Sequence, residues 1–213
     1  MEDDLLTRRL TYARAALDEA SVAADPFDQF GAWIGEALAT PGIVEPNAMS
    51  VATVGEGARP SLRVVLLRRW DARGFVFFTN YASRKGGELA QHPAAALLFW
   101  WGALERQVRI EGAVEQIACR ESDAYFATRP RGHRLSAWAS QQSAPVAGKH
   151  VLEQAMAEAD ARFASDVPRP PAWGGYRVVP DAFEFWQGRP NRVHDRIAYR
   201  KVGDGWELAR LSP

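Results

Sequence analysis

Apolar residues recur along this chain with two different periods, which divide it into helical and extended segments. Asp25-Pro26 marks a helix start, because Asp caps unpaired backbone amides and Pro is tolerated in the first turn. Apolar residues then follow at helical spacing up to a break at Pro41-Gly42. Ser83 caps a second, shorter helix that ends before His92-Pro93. The predicted helices after the first are residues 84–91, 121–128 and 149–163.

Much of the remaining chain has the two-residue period of half-buried strands. Over residues 106–117, Val108 and Ile110 are predicted to face inward, and Arg109 and Glu111 outward. The other predicted strands are residues 49–54, 62–69, 75–79 and 94–101. A meander of short strands with brief helical interruptions predicts a mainly β fold with flanking helices (α+β), built on a small antiparallel barrel. The Pro-rich residues 167–171 are interpreted as a rigid connector within it.

Composition limits the classes of protein to which the chain can belong. The 213 residues, 47% of them hydrophobic, suffice for one domain with a sizeable core, which is the default expectation, or at most for two small domains. Lys+Arg and Asp+Glu each total 26, so no general attraction to nucleic acid or membranes is expected. The acidic Met1-Glu2-Asp3-Asp4 is unlike a secretory signal, and no apolar run is long enough to cross a bilayer, which predicts a cytoplasmic protein.

Neither metal binding nor cysteine chemistry is indicated. The 4 histidines are scattered without the spacing of metal ligands, so no metal site is predicted. The single cysteine, Cys119, follows Ile117 and Ala118 in an apolar run and is predicted to be a small core residue rather than a nucleophile. Any special chemistry must therefore come from other clusters.

Two clusters in the middle of the chain suit an anion, and a third pair of cations, Arg63 and Arg68, says little alone. The segment Thr79-Asn80-Tyr81-Ala82-Ser83-Arg84-Lys85 brings hydroxyls, two cations and a helix N-terminus to one turn, which suits a phosphate. A solvated helix start is an equally good interpretation. Tyr125 and Arg129 are one helical turn apart and can share a phosphate. Arg63 and Arg68 point to opposite faces of a regular strand unless a bulge or a strand end redirects one of them.

The last quarter of the chain carries the most informative cluster. Phe185-Trp186-Gln187-Gly188 precedes Arg192-Val193-His194-Asp195-Arg196, and two arginines around a histidine suit an anionic aromatic ligand. A surface ion-pair cluster with a satisfied strand histidine is the alternative, and this segment alone slightly favours it. Gln107, at a strand entry, can donate to and accept from a heteroaromatic ring edge, although a surface glutamine is the commoner explanation.

Taken in order, these groups resemble the pyridoxamine 5'-phosphate oxidase family, the FMN enzymes that make pyridoxal 5'-phosphate. The resemblance runs from about Arg9 to Pro213. Its motifs are Arg9-x-x-Tyr12, Asp25-Pro26, Asn47-Ala48-Met49, Arg63-Val-Val-Leu-Leu, Phe78-Thr79-Asn80, Ser83-Arg84-Lys85, Leu104-Glu105-Arg106-Gln107-Val108, Tyr125-Phe126, Arg129-Pro130-Arg131, Trp138-Ala139-Ser140, Gln142-Ser143, Phe185-Trp186-Gln187-Gly188 and Arg192-Val193-His194-Asp195-Arg196.

The resemblance implies an FMN-binding split β-barrel of antiparallel Greek-key type that acts as a homodimer, with two FMN sites at the subunit interface. Residues 1–24 would form an N-terminal arm or lid, and residues 25–213 a single FMN-binding domain. Within that domain, residues from about 171 to 213 would form the dimerisation and substrate segment. The implied reaction is oxidation of pyridoxamine or pyridoxine 5'-phosphate to pyridoxal 5'-phosphate, with dioxygen as electron acceptor and hydrogen peroxide as product.

The resemblance also implies the site residues. FMN would be bound by Arg63, Val64, Val65, Leu66, Leu67, Arg68, Phe78, Thr79, Arg84, Lys85, Gln107, Gln142, Ser143, Trp186 and Arg196, of which Arg63, Arg84 and Lys85 would hold its phosphate. The substrate would be bound by Arg9, Tyr12, Arg68, Tyr125, Arg129, His133, Arg192 and His194. Arg192 would orient the substrate over the flavin, with His194 as its hydrogen-bonding partner and proton acceptor.

Two positions depart from the family pattern, and both fall on the substrate phosphate. Arg68 stands where a lysine is typical and His133 where a serine is, which bears on substrate affinity more than on flavin binding. Two other functions agree with the same scaffold. One is a flavin oxidase of phenazine-biosynthesis type, against which the intact Tyr125, Arg129 and Arg192-x-His194 argue. The other is a non-catalytic protein that binds FMN or pyridoxal phosphate.

Overall fold

The structure, a computed structural model, describes residues 10–213. Helices and strands account for most of these residues. The helices are α1 Pro26–Ala39, α2 Arg84–Gln91, α3 Cys119–Ala127, α4 Arg131–Ala139 and α5 Lys149–Arg162. The strands are β1 Ala48–Val54, β2 Pro60–Leu66, β3 Arg69–Asp71, β4 Gly74–Asn80, β5 Ala94–Trp101, β6 Arg106–Gln116, β7 Trp173–Gln187, β8 Asp195–Val202 and β9 Gly205–Arg210.

The strands form a curled, 9-stranded sheet whose main path runs in the order β2-β1-β5-β6-β7-β4-β3. Strand β8 pairs with β7 and with β9. The register is antiparallel where β4 meets β7, with Phe78 opposite Gly175, and where β7 meets β8, with Trp186 opposite Arg196. The predicted mainly β fold with flanking helices is confirmed.

Contacts divide the chain into two compact units. The first unit comprises the chain up to Met49, Leu97–Glu111 and Pro180–Pro213. The second unit comprises Ser50–Ala96 and Gly112–Val179. The prediction of a single domain over residues 25–213 stays a prediction.

Aromatic side chains form the core of the first unit. Helix α1 begins as predicted, because the Asp25 carboxylate accepts a hydrogen bond of 2.7 Å from the Phe27 amide. Its inner face buries Phe30 against Phe99, with ring centroids 5.1 Å apart, and Trp33 against Phe185, at 5.3 Å. Burying a side chain of this size contributes roughly 1.5–3 kcal/mol.

The second unit packs aromatic rings between β4, β7 and α3. Phe78 stacks on Trp173 with centroids 5.3 Å apart, and Phe126 meets the edge of the same indole at 5.0 Å. Gly175 is required by close approach, because a Cβ there would lie 2.6 Å from the Ile117 side chain and 3.0 Å from the Phe78 ring. The position of the Phe78 ring therefore requires glycine at position 175, opposite it on the neighbouring strand.

The secondary structure differs from the sequence prediction in several places, two of which lie between residues 60 and 140. The predicted strand over residues 62–69 is divided into β2 and β3. Helix α4 was not predicted, because Arg131-Gly132-His133-Arg134 lacks an apolar helical period.

The prediction that Cys119 is a core residue is wrong, since its side chain is exposed. The apolar run Ile117-Ala118-Cys119 begins just after β6 ends at Gln116 and reaches the first residue of α3. The two-residue period of the strand therefore does not extend to Cys119, although Ile117 is buried.

Candidate active site

The second unit contains a cavity of about 910 Å³. Most of its lining residues were predicted from the sequence: Arg63, Val64, Val65, Leu66, Arg68, Phe78, Thr79, Arg84, Lys85, Tyr125, Arg129, His133, Gln142 and Ser143. The sequence prediction missed four others: Ser61, Leu62, Thr128 and Pro130. Leu67 is not among the lining residues, and its side chain is buried. The fold thus brings segments from five parts of the second unit to one cavity.

The cavity is strongly cationic. Its lining includes Arg63, Arg68, Arg84, Lys85 and Arg129, and no Asp or Glu is among its lining residues in the described chain. Like charges concentrated in a concave, partly desolvated surface raise the local potential well above that of a flat surface. The cavity therefore suits a ligand that carries negative charge.

A strand end brings Arg63 and Arg68 to the same cavity. Strand β2 ends at Leu66, so Arg68 is not bound by the alternation that places Arg63. The backbone amide of Arg68 instead donates to the Val76 carbonyl at 2.9 Å. The sequence left open whether a strand end redirects one of the two arginines, and in the structure the end of β2 does so.

The start of α2 forms a compact group around Lys85. Ser83 caps the helix as predicted. The Lys85 ammonium donates to Thr79 Oγ1 at 3.0 Å and to Gln142 Oε1 at 3.3 Å, and the Arg84 amide donates to Ser143 Oγ at 3.2 Å. Burial and the charge of the nearby Arg63 lower the pKa of Lys85 to about 8. The ammonium is therefore short of negative partners.

Glu88, which the sequence prediction missed, joins the arginines of this group. Its Oε1 accepts from Arg84 Nε at 2.8 Å, and its Oε2 accepts from Arg63 Nη2 at 3.1 Å and from the hydroxyls of Thr53 and Ser61. Burial alone would raise the pKa of Glu88, but these donors outweigh it and lower the pKa to about 2. The spacing of four residues between Arg84 and Glu88 is the sequence signal that could have identified Glu88.

A second group of the cavity is built on stacked rings. Tyr125 stacks on Phe78 with centroids 3.9 Å apart, and the Arg129 guanidinium lies 4.7 Å from the Trp173 ring centroid. Helix α3 ends at Ala127, so Arg129 lies just beyond the helix, yet it lines the same cavity as Tyr125.

Arg129 carries a donor without a partner. Its Nη1 is buried and makes no hydrogen bond with any residue in the part of the chain that the structure describes. Burial lowers the pKa of this guanidinium; the charge of Arg68 adds to the effect, whereas Tyr125 opposes it. A buried donor of this kind is costly unless a ligand accepts from it.

Other predicted site residues belong to the first unit, where three rings form a cluster. The His194 ring lies 4.6 Å from Trp186 and 5.9 Å from Tyr12. Gly188 allows this packing, because a Cβ there would lie 2.7 Å from the Tyr12 ring. The lining of the second unit's cavity does not include these residues.

The hydrogen-bond partner expected for His194 was wrong. Its Nδ1 accepts from the Arg189 amide at 3.1 Å, whereas the expected partner was Arg192. Burial and the Arg192 charge lower the pKa of His194, against the opposing effect of Asp195. A neutral ring whose Nδ1 accepts carries its proton on Nε2; the predicted role of His194 as a proton acceptor stays a prediction.

Asp195 and Arg196 of the last motif form ion pairs with residues outside that motif. Asp195 binds Arg210 at 2.9 Å and Arg189 at 3.3 Å. Arg196 binds Glu184 through two hydrogen bonds of 2.8 and 3.0 Å. Asp195 and Arg196 therefore form ion pairs, as the alternative interpretation expected, but with partners outside the motif.

Arg192 is exposed and has a backbone φ of 62°, in the left-handed region. Non-glycine residues adopt this region at an energetic cost, and such residues concentrate at functional sites. Gln107 is half-buried on β6. Arg9 lies outside the described residues.

Two other kinds of site have no candidate within residues 10–213. No group of three or more His, Cys, Asp or Glu side chains in this range is arranged to hold a metal ion. No helix in the same range is both long and apolar enough to span a membrane. The cationic cavity and the aromatic cluster are therefore the features to compare with known proteins.

Comparison with known proteins gives consistent matches over nearly the whole chain. A family model described as pyridoxamine 5'-phosphate oxidase matches residues 36–163, and one described as the pyridoxine 5'-phosphate oxidase C-terminal dimerisation region matches residues 173–213. The pyridoxine/pyridoxamine 5'-phosphate oxidase of Cupriavidus taiwanensis is 60% identical over 206 residues, which cover 96% of this chain and 97% of that protein.

Solved structures agree with this result. The crystal structure of PhzG from Burkholderia lata, in complex with tetrahydrophenazine-1-carboxylic acid, has a TM-score of 0.87 and 30% identity, covering 93% of this chain and 98% of that chain. A pyridoxamine 5'-phosphate oxidase-related, FMN-binding protein from Nostoc punctiforme has a TM-score of 0.70 at 17% identity, covering 90% of this chain and 100% of that chain, which shows the shared split-barrel fold. The chain therefore belongs to the pyridoxamine 5'-phosphate oxidase family.

Proposed function

We propose that this protein oxidises pyridoxamine 5'-phosphate and pyridoxine 5'-phosphate to pyridoxal 5'-phosphate, with FMN as cofactor and dioxygen as electron acceptor. The observation that carries the proposal is the cationic cavity of the second unit, which holds two groups of anion-binding side chains. One group is Arg63, Arg84 and Lys85; the other is Arg68, Tyr125, Arg129 and His133. Cofactor and substrate of this reaction each carry one phosphate, so two such groups match them.

The residues present fit a flavin phosphate in the first group. The three cationic side chains and the single carboxylate of Glu88 together have a net charge of about +2. This charge balances that of a phosphate monoester near neutral pH. Burial and the charge of Arg63 lower the pKa of Lys85, more than Glu88 raises it, and a bound phosphate would favour the charged ammonium. The volume of about 910 Å³ is also in the range of ligand sites, roughly 300–1,000 Å³.

The second group fits the substrate phosphate. Arg129 Nη1 is buried without a partner among the described residues, and a phosphate oxygen would supply one. The Tyr125 hydroxyl and His133 add donors on the same cavity wall. The stack of Tyr125 on Phe78 holds the phenol in one orientation, which favours a fixed anchor over a flexible one.

The protein's part in the chemistry is to bind and orient. Bound FMN would supply the chemistry of two-electron transfer from the carbon that bears the amine or alcohol to dioxygen, with hydrogen peroxide as the product. The phosphate anchor fixes one end of the substrate, and Arg192 is proposed to orient the pyridine ring at the other. His194, protonated on Nε2, would donate a hydrogen bond to the substrate. Placing the reacting carbon in this way lowers the entropic part of the barrier.

We also propose that the protein acts as a homodimer in the cytoplasm. The match of residues 173–213 to a C-terminal dimerisation region supports the dimer. Sites at the interface, built from both chains, would then use the predicted residues Trp186, Arg192, His194 and Arg196 together with the cavity residues. Sedimentation velocity tests the oligomeric state, and a monomer at micromolar concentration would contradict it.

An aerobic assay of the purified protein with added FMN tests the function. Pyridoxamine 5'-phosphate and pyridoxine 5'-phosphate are offered separately, and the formation of pyridoxal 5'-phosphate and hydrogen peroxide is followed. Unphosphorylated pyridoxamine is the control, and we expect it to react far more slowly because it leaves Arg129 unpaired. A yellow, FMN-loaded protein that makes no product would contradict the substrate assignment and favour the non-catalytic binder.

A second candidate is an oxidase of phenazine-biosynthesis type. The similarity to PhzG, whose crystal structure contains tetrahydrophenazine-1-carboxylic acid, favours it. That ligand carries a carboxylate and no phosphate, so it would make less use of the group around Arg129 and Tyr125. Offering the same acid in the aerobic assay separates the two candidates, because turnover of the acid alone would favour this one.

A further inference from the structure

We propose that Glu88 is a positioning residue, which holds Arg63 and Arg84 in the orientation that binds the cofactor phosphate. This inference rests on the proposed FMN function. Glu88 itself does not line the cavity, whereas both arginines do. It is therefore expected to act through them and not by touching the ligand.

The contacts of Glu88 are divided between two elements. On its own helix α2, Glu88 accepts from Arg84 Nε at 2.8 Å; from β2, it accepts from Arg63 Nη2 at 3.1 Å. The residue is only 7% exposed. The backbone at Gly55 approaches it closely, since a Cβ there would lie 3.2 Å from Glu88 Oε1. Burial and its hydrogen bonds hold the carboxylate in one position.

Glu88 affects the two arginines differently. Arg63 is also held by the Val51 carbonyl, at 3.1 Å, and by the hydroxyls of Thr53 and Ser61. Arg84 has a side chain that is 65% exposed, and Glu88 is the carboxylate that binds it through Nε. Both terminal nitrogens of Arg84 therefore remain available for a ligand within the described structure. Holding an arginine in one rotamer costs up to about 2 kcal/mol of entropy, which Glu88 would offset before the phosphate arrives.

The position of Glu88 is not explained by helix stability. It lies in the second half of α2, where a negative charge interacts unfavourably with the helix dipole. The carboxylate is nevertheless ionised, because its four donors lower the pKa to about 2. A buried charge in an unfavourable position on the helix, satisfied by two arginines of one ligand site, points to a role in that site.

A substitution that keeps the charge isolates geometry from electrostatics. Glu88→Asp retains the carboxylate but shortens it by one methylene, so it cannot reach Arg63 and Arg84 together. The dissociation constants of FMN and riboflavin, which differ only in the phosphate, are measured by flavin fluorescence. We expect FMN binding to weaken about tenfold, equivalent to about 1.4 kcal/mol, with riboflavin binding unchanged. Glu153→Asp is the matched control, since Glu153 forms an exposed ion pair of the same spacing with Lys149.

Two results would overturn the inference: unchanged FMN affinity, or equal losses for FMN and riboflavin, which would indicate general damage. If Glu88→Asp does not fold, Thr53→Val carries the test. Thr53 is buried, donates to Glu88 and accepts from Arg63, and its replacement has nearly the same shape. We expect it to weaken FMN binding alone by a smaller factor.

A second measurement does not depend on the flavin. Inorganic phosphate is expected to raise the melting temperature of the apo-protein, and Glu88→Asp is expected to remove most of that rise. If the wild-type protein does not bind FMN, the proposed function fails, and this measurement still decides the role of Glu88. An equal phosphate effect in both proteins would contradict the positioning role.

Discussion

Replacing Lys85 by methionine is expected to stabilise the apo-protein and to weaken FMN binding. Lys85 is 7% exposed, and burial together with Arg63 lowers its pKa from 10.5 to about 8. A pKa difference of this size between the folded and unfolded states corresponds to a penalty of about 3 kcal/mol for keeping the ammonium charged. Methionine has a similar length and no charge, but it loses the hydrogen bonds to Thr79 and Gln142. We therefore expect a net gain of about 1–3 kcal/mol at pH 7.

The pH dependence of this gain follows from the lowered pKa. Below pH 8 the lysine is charged in both the folded and the unfolded state, so the wild-type protein carries the full penalty. Between about pH 8 and pH 10.5 the folded protein loses the proton first, and wild-type stability rises relative to the variant. The difference between the two proteins should therefore be largest near neutral pH and should close as the pH approaches 10.5.

Urea unfolding of the apo-protein at pH 7 and at higher pH measures this difference. Lys149→Met is the control, because Lys149 is an exposed lysine whose removal should change little. Fluorescence titration with FMN provides the second measurement, and we expect affinity to fall at least tenfold through loss of a charged hydrogen bond. A variant less stable than wild type, or a difference that does not change with pH, would refute the reasoning.

Three further predictions follow from particular contacts. Arg192→Ala should leave flavin content unchanged and lower turnover about 100-fold through misplacement of the substrate; loss of flavin in the purified variant would contradict that role. Tyr125→Phe keeps the stack on Phe78 and should raise KM for the phosphorylated substrate about tenfold without changing FMN affinity, and an unchanged KM would argue against a phosphate contact. Gly86→Ala should cost about 2 kcal/mol in denaturant unfolding, because its Cβ would lie 2.0 Å from the Tyr81 carbonyl. Gly87→Ala, with nothing within 4 Å, should instead be neutral or stabilising, and similar results for both glycines would refute the steric argument.

Local signals explain which elements were predictable. Helix α2 has the predicted bounds, because Ser83 caps its start and His92-Pro93 follows its end. On β6, Val108 and Ile110 are buried and Arg109 is exposed, as the alternation predicted. Where such signals are absent, as in α4, the element was missed.

Long-range pairing explains which parts of the site were not predictable. The residues of the cationic cavity could be named from a resemblance, but the role of Glu88 could not, because Arg63 lies 25 residues away and meets it only in the folded chain. The partner of His194 was wrong for a similar reason. The turn at Pro190–Arg192 brings the Arg189 amide to the His194 ring.

The sequence by itself determined the elements and the supply of chemical groups: caps, alternation, and a set of arginines, tyrosines and histidines in one order. These depend on residues a few positions apart, whose local interactions do not require distant segments of the chain to meet. Only the tertiary structure decided which of those groups are engaged within the protein and which remain available for a ligand. Arg131 is bound to Asp160, while Arg129 Nη1 has no partner among the described residues. The difference depends on distances of about 3 Å between distant segments, at which hydrogen bonds form or fail.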